Sequence, residues 1–507
     1  MKRKHLIVAV LAGLCLMPML FLALGNSADQ EIQEILKVAP LNPEFEAAMA
    51  EMIQGTYSCA PSDGFSKGYF PPPVDIQAIN ADQELTMEPL ALPTKWDWRT
   101  RSGVTSVKDQ GACGSCWAFG NIGAIESRHK IVTSGHPTLD LSEENMNSGH
   151  LPWLWKRCAG GNTFVALSYL TNVVKKTSLQ QFQKGILTES QDPYKATHTS
   201  AGTHNPALCA DTTRPLPKYR ITGARWISNA ASIMKNAIYS NGPITTAYYA
   251  ESPGGSHWYS SNTVYHWPGY SGSTNHQVLI VGWDDNKPWP SGSGKGAWIV
   301  KNSWGKFNSL GGYFYITYGS AKVGSDGLYY TGIRTAPTRE NFYMEDKPGW
   351  ITNIGNGSSK TGYGLTVFKP VNANEKLRAV EFYNPFTNMP YTIKVWGTVS
   401  GSTSISVSTL KATKTGKCKE PGYYIIPLST PISLTKGARY GVEIKFTGPA
   451  NNGWPIPCAG TYPKLIKAFA GTGNASSYAR VGNTGAFSRV VISGITFVPD
   501  VRARTSY

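Results

Sequence analysis

The stretch Gln110-Gly-Ala-Cys-Gly-Ser-Cys-Trp-Ala-Phe119 leads into a run whose apolar residues recur with helical spacing, at Ile122, Ile125 and Ile131. This spacing predicts a helix that begins at Cys116. A cysteine in the first turn of a helix lies where backbone N–H groups converge, and the helix dipole favours its thiolate. Because the thiolate is the reactive form of cysteine, the stretch predicts a reactive thiol at position 116.

Cys113 and Cys116 also have the Cys-x-x-Cys spacing of redox motifs and zinc sites. A redox motif would lie in a thioredoxin-like βαβ context, which the surrounding sequence does not show. A zinc site would need two further well-spaced cysteine or histidine ligands, which are absent. A structural disulfide remains open for either cysteine, so catalysis depends on a base elsewhere in the chain.

His276 and Asn302 supply the partners that a cysteine nucleophile requires. His276 opens an apolar run that ends at Trp283, so its imidazole is expected at the mouth of a buried strand. Asn302 follows 26 residues later, within the segment Trp298–Gly305. Its amide oxygen can hold the ring N–H of His276 and fix the tautomer, and Trp304 can shield that hydrogen bond from water. A lone histidine there would be a core residue, but the asparagine favours a catalytic role.

Together these motifs resemble those of the papain family of cysteine peptidases. The resemblance extends over about residues 92–333. It includes the opening Leu92-Pro-Thr-Lys-Trp-Asp-Trp-Arg99, the segment Cys158-Ala-Gly-Gly161, where the family usually has Cys-Asn-Gly-Gly, and the block Gly311-Gly-Tyr-Phe314. It implies an α+β fold of two lobes, one helical and one resembling a β-barrel, and the hydrolysis of peptide bonds.

The resemblance also implies a role for each residue that matches a family motif. Cys116 corresponds to the nucleophile, His276 to the general base and then acid, and Asn302 to the residue that orients the histidine. Gln110 corresponds to the side-chain donor of the oxyanion hole, beside the N–H of Cys116. This chemistry requires no cofactor, and no metal is expected at the site.

Substrate-binding positions follow from the same resemblance, and they are Gly160, Gly161, Thr163, Ala247, Thr274 and Trp304. The two glycines would offer backbone to an extended substrate strand. Thr163, Ala247 and Thr274 are similar to positions that shape the pocket for the second residue before the scissile bond. Their modest size predicts an apolar or medium-sized side chain in that pocket.

A targeting signal opens the chain. Three basic residues, an apolar stretch over residues 6–24 and several small residues predict a secretory signal peptide over residues 1–28, with an uncleaved membrane anchor as the alternative. We therefore expect a secreted or cell-surface protein. Residues 29–91 begin with a short helical pattern at Ile32, Ile35 and Leu36 and then become irregular. They are interpreted as a pro-segment that passes through the cleft and inhibits the enzyme, or alternatively as a stalk.

Export implies an oxidising compartment, in which an odd number of cysteines predicts an unpaired thiol. The cysteines behind the signal peptide are Cys59, Cys113, Cys116, Cys158, Cys209, Cys418 and Cys458. The resemblance pairs Cys113 with Cys158 and keeps Cys116 for catalysis. Cys418 and Cys458 lie in one C-terminal unit and are expected to pair. A bridge between the remaining two is a further hypothesis.

The sequence pattern changes after the peptidase-like domain, assigned to residues 92–335. Residues 340–507 show short runs of period two separated by turn residues, which predict an all-β sandwich. The segments Asn341–Trp350 and Lys376–Tyr383 resemble a lectin-like domain found behind papain-like peptidases of prokaryotic surface proteins. This likeness implies contact with a surface glycan, for which Trp350, Trp396 and Trp454 are stacking candidates. Structural calcium at acidic residues such as Glu345 and Asp346 is possible, but the ligand spacing does not support it.

The net charge of +16 is unevenly spread, since residues 341–507 contain 19 lysine and arginine residues against 7 aspartate and glutamate residues. A basic C-terminal domain predicts an anionic partner such as a wall polymer, with a solvated basic surface as the alternative. No nucleic-acid-binding motif accompanies the charge, and nucleic acid is not expected as a partner. We expect a monomer that acts on protein or peptide substrates.

Three functions are compatible with these features. The first is an exported endopeptidase, and the second is a surface adhesin or glycan-binding protein that uses a peptidase fold as its scaffold. The third is a maturase or transpeptidase with the same chemistry, because the sequence does not separate water from an amine as the acceptor. The complete set of Cys116, His276, Asn302 and Gln110 favours the peptidase.

Overall fold

The computed structural model describes residues 36–54, 65–80, 90–148, 157–176, 181–195, 215–337, 339–450, 452–462, 466, 474–482 and 485–507. The predicted signal peptide, Cys59 and Cys209 lie outside these residues. Within the described ranges no helix is long and apolar enough to cross a membrane.

The described residues contain six α-helices: α1 (Pro43–Gln54), α2 (Ile76–Ile79), α3 (Cys116–Val132), α4 (Glu143–Ser148), α5 (Thr163–Thr171) and α6 (Ala231–Asn241). A short 3₁₀ helix spans Trp98–Arg101. The first half of the strands comprises β1 (Lys37–Val38), β2 (Lys95–Asp97), β3 (Val173–Lys176), β4 (Gln181–Lys184), β5 (Tyr219–Ile227), β6 (Ile244–Tyr248), β7 (Trp258–Tyr259), β8 (Val264–Tyr265), β9 (His276–Pro288), β10 (Lys295–Lys301), β11 (Tyr313–Thr317), β12 (Ser325–Thr335) and β13 (Glu340–Tyr343). The second half comprises β14 (Thr352–Gly355), β15 (Thr361–Phe368), β16 (Lys376–Asn384), β17 (Met389–Ser400), β18 (Ser404–Cys418), β19 (Gly422–Ser433), β20 (Tyr440–Thr447), β21 (Ile456–Gly460), β22 (Ala475–Val481), β23 (Phe487–Ser488), β24 (Val490–Ile492), β25 (Ile495–Pro499) and β26 (Val501–Ser506).

Helix α3 is the centre of the helical lobe, and the sequence predicted its start and its length. Its first twelve residues, 116–127, are all buried, so it has no solvent-facing side over three turns. Helix α5 packs in the same core, and its N-cap Asn162 accepts hydrogen bonds from the N–H groups of Phe164 and Val165, both at 3.0 Å. The cap fixes where α5 begins, directly after the glycine segment at 160–161.

The second lobe is built from β6, β9, β10 and β11, which are neighbours in one sheet. The apolar runs that predicted buried strands became β9 and β10, and β10 pairs antiparallel with both β9 and β11. His276 is the first residue of β9, so the strand delivers its imidazole to the edge that faces the start of α3. The α+β class with two lobes, predicted from the sequence, is confirmed.

The C-terminal domain is entirely β-structure, as predicted. Strands β15, β20, β17, β18, β23 and β22 close into a barrel, and β1, β14, β21, β25 and β24 form a five-stranded sheet. Strands β13, β26, β16 and β19 form the other layer, and they share one apolar core with the barrel. The sandwich therefore has one layer that closes on itself.

A single sheet of thirteen strands runs from the C-terminal domain into the peptidase, in the order β13-β26-β16-β19-β5-β12-β6-β9-β10-β11-β8-β7, with β2 paired to β9. The junction is the pairing of β19 with β5, where Tyr423 lies opposite Ala224. The Arg225 guanidinium lies 3.4 Å from the ring centroid of Tyr424, and Arg502 Nη1 donates to the carbonyl of Thr171 at 2.9 Å. Continuous pairing and buried polar contacts join the domains into one body.

The described part of residues 29–91, the predicted pro-segment, contacts both domains. Strand β1 pairs antiparallel with β14 of the C-terminal domain, and Phe45 of α1 is fully buried in the core of the helical lobe. The helical start expected around Leu36 is corrected, because Leu36 is buried in the C-terminal core and leads into β1. Ile32 and Ile35 lie outside the described residues.

The disulfide predictions have two outcomes. Cys113 and Cys158 form a disulfide that joins the start of α3 to the segment before α5. The predicted Cys418–Cys458 bridge was wrong, because both residues are buried thiols. Cys418 ends β18 in the barrel, whereas Cys458 lies in β21 of the five-stranded sheet, so a shared core does not bring the sulfurs into bonding geometry.

Candidate active site

Cys116 is the first residue of α3 and is completely buried. Its Sγ accepts a hydrogen bond from the backbone N–H of Gln277 at 3.4 Å, which places the thiol against the start of β9. The thiol therefore has the N-terminal end of a seventeen-residue helix on one side and the residue after His276 on the other. The helix start and the N–H of Gln277 favour a thiolate, whereas the complete burial of the thiol opposes one.

His276 is held by Asn302, as the sequence predicted. The ring Nε2 lies 2.8 Å from Asn302 Oδ1, which also accepts from the backbone N–H of Ser303 at 2.8 Å. The Trp304 ring stacks on the imidazole with centroids 4.5 Å apart and planes inclined by 24°. The bond to Asn302 requires a proton on Nε2 and leaves Nδ1, which has no hydrogen-bond partner among the described residues, to exchange a proton with the thiol.

Burial lowers the pKa of His276 to about 3, against the hydrogen bond to Asn302, which raises it. The positive charge of Lys67, in the pro-segment, lowers the pKa further. A histidine with this pKa is neutral at pH 7. The described structure therefore shows the site in a covered state, in which an imidazolium is disfavoured.

Gln110 lies beside the thiol. Its Nε2 donates to the carbonyl of Cys113 at 2.8 Å and to the carbonyl of Lys67 at 3.1 Å, while its Oε1 accepts from Ser303 Oγ at 2.6 Å. The two carbonyls fix the amide orientation, because a carbonyl oxygen can only accept and so requires the NH₂ end of the amide. Gln110 Nε2 is therefore aimed at a carbonyl oxygen, the atom type on which an oxyanion develops.

The pro-segment runs through this cleft from Trp304 toward Gly161. Trp304 Nε1 donates to the carbonyl of Ser66 at 2.8 Å. Around Tyr69, the N–H of Gly161 donates to Gly68 and the N–H of Phe70 donates to Gly161, both at 2.9 Å, as a parallel bridge. Gly161 thus pairs with an extended chain, as its predicted role requires, and Gly160 adopts a φ of +99° just before it.

The pocket beside Cys116 is filled by Tyr69, which packs against Cys116 and Ala247 and is 3 % exposed. Thr163 lies at the same pocket through Asp326, which contacts both Thr163 and Tyr69. Thr274 is buried two residues before His276. Sequence reasoning missed Asp326, because a Gly-Ser-Asp-Gly stretch at 324–327 is typical of a turn.

The candidate calcium ligands of the C-terminal domain are engaged by arginines. Both carboxylate oxygens of Glu345 accept from Arg489, and Asp346 accepts from Arg502 Nε at 2.7 Å. Among the residues that the structure describes, no group of three or more histidine, cysteine or acidic side chains is placed to hold a metal ion. The expectation that no cofactor is required stays a prediction.

Of the three tryptophans considered for sugar stacking, Trp350 is corrected to a core residue. It is 1 % exposed and packs against Phe164 and Trp226 at the domain junction, where apolar surface from both domains meets. Trp396 is half-buried, with its Nε1 bonded to Glu443, and Trp454 is also half-buried. For these two the stacking role stays a prediction.

A thiol at a helix start, a histidine held by asparagine and a side-chain amide aimed at a carbonyl define a cysteine hydrolase. The family model for papain family cysteine protease matches residues 92–331, and that for a lectin-like domain matches residues 342–490. Human cathepsin O is 30% identical over 266 residues, which are 50% of this chain and 70% of the relative. Rat cathepsin Q is 32% identical over 228 residues, which are 45% of this chain and 59% of the relative. The chain belongs to the papain family of cysteine peptidases.

The fold of both domains together matches a solved structure. The cysteine protease and lectin-like domains of Cwp84, a surface layer associated protein of Clostridium difficile, superpose with a TM-score of 0.72. The match covers 93% of this chain and 98% of that one at 21% identity. A structure of Cwp84 after propeptide cleavage gives a TM-score of 0.65 at 22% identity, covering 81% of this chain and 99% of the other. At these identities the likeness shows a shared fold.

Proposed function

We propose that this protein is an exported cysteine endopeptidase, made as a proenzyme, whose C-terminal domain binds an anionic surface polymer. The observation that carries the peptidase is the cluster of Cys116, His276, Asn302 and Gln110, assembled from α3, β9 and the segments beside them. Export is supported by the signal-peptide pattern and by the shared fold with a surface layer associated protein.

Once the cleft is open, the Cys116 thiolate attacks the peptide carbonyl carbon, and the carbonyl electrons move to the oxygen. Gln110 Nε2 and the Cys116 N–H stabilise that oxyanion, and one such donor is worth about 2.7–4 kcal/mol in kcat. His276 gives its proton to the leaving amine as the C–N bond breaks, which leaves a thioester on Cys116. His276 then takes a proton from water, which attacks the thioester and releases the acid.

The pro-segment supplies inhibition by occupying each part of the cleft. The carbonyl of Lys67 takes the Gln110 amide, Tyr69 fills the adjoining pocket, and the strand from Gly68 to Phe70 takes the backbone groups of Gly161. A substrate must displace all of these contacts, so we infer that cleavage or withdrawal of the pro-segment activates the enzyme.

The peptidase proposal is tested by hydrolysis of a fluorogenic peptide library after the pro-segment is removed with an added protease. We expect turnover by the wild type and a loss of about 10³-fold or more in the C116A variant, because the remaining site cannot form the thioester. The matched control is C418A, which removes a thiol far from the cleft and leaves the rate unchanged. Equal turnover by the wild type and the C116A variant would contradict the proposal.

The ligand of the C-terminal domain is inferred from a cleft of about 700 Å³ at the domain junction. Its charged lining residues are four arginines and one glutamate, namely Arg334, Arg339, Arg378, Arg504 and Glu340. The rest of the lining consists of apolar and small side chains. Burial and the charges of Arg220 and Arg504 lower the pKa of Arg334 to about 10. Glu340 and Glu381, which lies 3.7 Å from Arg504, offset part of this positive charge, and the remainder fits phosphate or carboxylate groups on a polymer.

Binding of a fluorescent polyphosphate probe tests this cleft, with neutral dextran as the comparison. We expect salt-sensitive binding of polyphosphate that falls about tenfold or more in an R334Q/R378Q variant. The control variant K411Q/K417Q removes two positive charges from β18, away from the cleft, and should retain binding. Equal loss in both variants would show general charge attraction, and no loss in R334Q/R378Q would exclude the cleft.

A further inference from the structure

One tyrosine hydroxyl joins the two segments that carry the candidate oxyanion donors. Tyr194 Oη donates to the backbone carbonyl of Gln110 at 2.8 Å, and it lies 2.7 Å from the hydroxyl oxygen of Ser115. Gln110 supplies the side-chain amide, and Ser115 directly precedes Cys116, whose N–H is the second donor. The Tyr194 hydroxyl is therefore bonded to the residue that carries one donor and to the chain neighbour of the other.

The carbonyl fixes where the protons lie in this pair of hydrogen bonds. A carbonyl oxygen can only accept, so the single proton of the Tyr194 hydroxyl points at Gln110. The hydroxyl oxygen of Tyr194 then accepts the proton of Ser115. Burial raises the pKa of Tyr194 above its ordinary value of 10.0, so the hydroxyl remains a donor at neutral pH.

Ser115 does not use its hydroxyl in the way that its position favours. It is the N-cap of α3, where a serine side chain ordinarily accepts from an N–H of the first turn, but its side chain makes no capping hydrogen bond. The hydroxyl meets Tyr194 instead. This choice of partner favours a role for Ser115 in the tie to Tyr194 over a role in the stability of α3.

The segment that carries Tyr194 is itself held in place. The Tyr194 N–H donates to Glu189 Oε1 at 2.7 Å, and the N–H of Lys195 donates to Glu144 Oε2 at 3.2 Å. The tyrosine ring packs edge-on against Phe119, with centroids 4.8 Å apart and planes inclined by 83°. Because Phe119 lies in the first turn of α3, the ring and the hydroxyl both contact the start of that helix.

We propose that Tyr194 is a positioning residue of the oxyanion hole, which holds the Gln110 segment and the start of α3 at the spacing that lets both donors reach one oxygen. This inference rests on the proposed peptidase function. Stabilisation of an oxyanion requires donors about 2.7–3.1 Å from the place that the oxygen will occupy. A displacement of about 1 Å can cost about a hundredfold in rate. Loss of the Tyr194 hydroxyl removes the tie and leaves the thiol, the imidazole and both donor atoms present.

A purely structural role for Tyr194 makes a different prediction. If the hydroxyl only stabilised the fold around α3, its loss would impair every reaction of Cys116 to the same extent. Alkylation by iodoacetamide forms an S–C bond as iodide leaves and develops no oxyanion, so it needs the thiolate and neither donor. Comparing alkylation with peptide hydrolysis in one variant therefore separates positioning from structure.

The test uses the Y194F variant after removal of the pro-segment with an added protease. It measures kcat and KM for a fluorogenic peptide, and the rate of iodoacetamide alkylation at Cys116 by mass mapping. We expect kcat to fall by about tenfold, because the ring stays while two hydrogen bonds are lost. KM should change by less than about twofold, and the alkylation rate should equal that of the wild type.

Two further variants serve as comparisons. S115A keeps the hydrogen bond from Tyr194 to Gln110, so its kcat should fall by less than that of Y194F, with the same unchanged alkylation. Y424F is the matched control, because the Tyr424 hydroxyl donates to the carbonyl of Glu420 at the same 2.8 Å in the C-terminal domain. Its kcat should equal that of the wild type, and an equal loss in Y424F and Y194F would contradict the positioning role.

The failure of this inference is distinguishable from the failure of the peptidase function. If the wild type hydrolyses no peptide in a Cys116-dependent manner, the peptidase function is wrong. If the wild type is active and Y194F has the same kcat, or if Y194F loses alkylation in parallel with kcat, the enzyme stands and the positioning role is refuted. Circular dichroism establishes that Y194F is folded, and if it is not, the same comparison of kcat with alkylation in S115A decides.

Discussion

At the scale of single residues, the covered cleft changes the chemistry of His276 more than its sequence motif suggests. Burial lowers the pKa of His276 from its ordinary value of 6.5 to about 3, and the positive charge of Lys67 lowers it further. The neutral imidazole cannot stabilise a thiolate on Cys116 by charge. Lys67, in the predicted pro-segment, therefore acts against an imidazolium at His276, and the neighbouring Tyr69 packs against Cys116.

This effect predicts a change in the titration of His276 on activation. In the C116A proenzyme, which cannot process itself, NMR signals of the His276 ring should not titrate between pH 8 and pH 4.5, because the buried ring stays neutral down to about pH 3. Removal of the pro-segment with an added protease exposes the ring and should move the midpoint up toward 6.5. The H276A variant assigns the signals, and an identical midpoint in both forms would contradict the prediction.

Asn302 is expected to act on the rate through His276. An N302A variant loses the acceptor 2.8 Å from Nε2, so kcat/KM should fall by about 5- to 150-fold, the range for one buried hydrogen bond. The control is N353A, which removes a buried asparagine bonded to Trp350 in the other domain. Peptide hydrolysis by N353A should equal that of the wild type. If kcat/KM of N302A also equals that of the wild type, Asn302 has no role in the mechanism.

The candidate catalytic residues could be predicted from the sequence, because each lies in a local motif of a few residues, and the structure brings them together. The position of Asp326 could not be predicted, because its contacts form only where β12 meets the start of α5. Its hydrogen-bond partner Thr163 lies 163 positions away in the sequence. The error over Cys418 and Cys458 has the same origin, because strand order decides which side chains of one core come together. Local sequence carries little of that information.

At the scale of elements, the extended segment Gly68–Phe70, which bridges to Gly161 through Tyr69, depends on a glycine. Gly68 has a φ of +128°, and a Cβ there would lie 2.3 Å from the Gly114 carbonyl carbon, two residues before the start of α3. Only a residue without a side chain lets the pro-segment lie this close to the Cys113-Gly-Ser-Cys116 turn. The contact is therefore set by backbone against backbone.

A G68A substitution is expected to lift the pro-segment from the cleft. The unprocessed G68A protein should be labelled at Cys116 by a biotinylated epoxide at the proenzyme mass on a gel, where the wild type is not. G135A is the control, because Gly135 also has a positive φ, of +79°, but its Cβ would meet no atom within 4 Å. Labelling of neither proenzyme would show that the strand tolerates the added methyl group.

At the scale of the whole molecule, the predicted pro-segment is in contact with both the C-terminal domain and the peptidase domain. Strand β1 adds to the edge of the five-stranded sheet, and the same chain then crosses to the helical lobe and the cleft. The thirteen-stranded sheet holds the two domains in a fixed relation beneath this crossing. Loss of the pro-segment is thus expected to alter the C-terminal domain as well as to open the active site.

Hydrogen exchange measures that effect. After the pro-segment is removed from the C116A protein, amides of β14 should exchange faster, since β14 loses its partner β1 and becomes an edge strand. Amides of β15 serve as the internal control, because β20 and β22 cover both of its edges in either form. Unchanged exchange in β14 would mean that β1 stays in place after cleavage.

The central claim is that Cys116 is the reactive thiol of a Cys-His-Asn peptidase, and mass mapping after epoxide labelling tests it most directly. Burial raises the pKa of Cys418 to about 12 and that of Cys458 well above its ordinary value, so neither should react near neutral pH. In the processed protein, a peptidyl epoxide should add one label per chain, on Cys116, in parallel with the loss of peptide hydrolysis, and H276A should slow the labelling. Full inactivation with the label on another residue, or with Cys116 unmodified, would contradict the account.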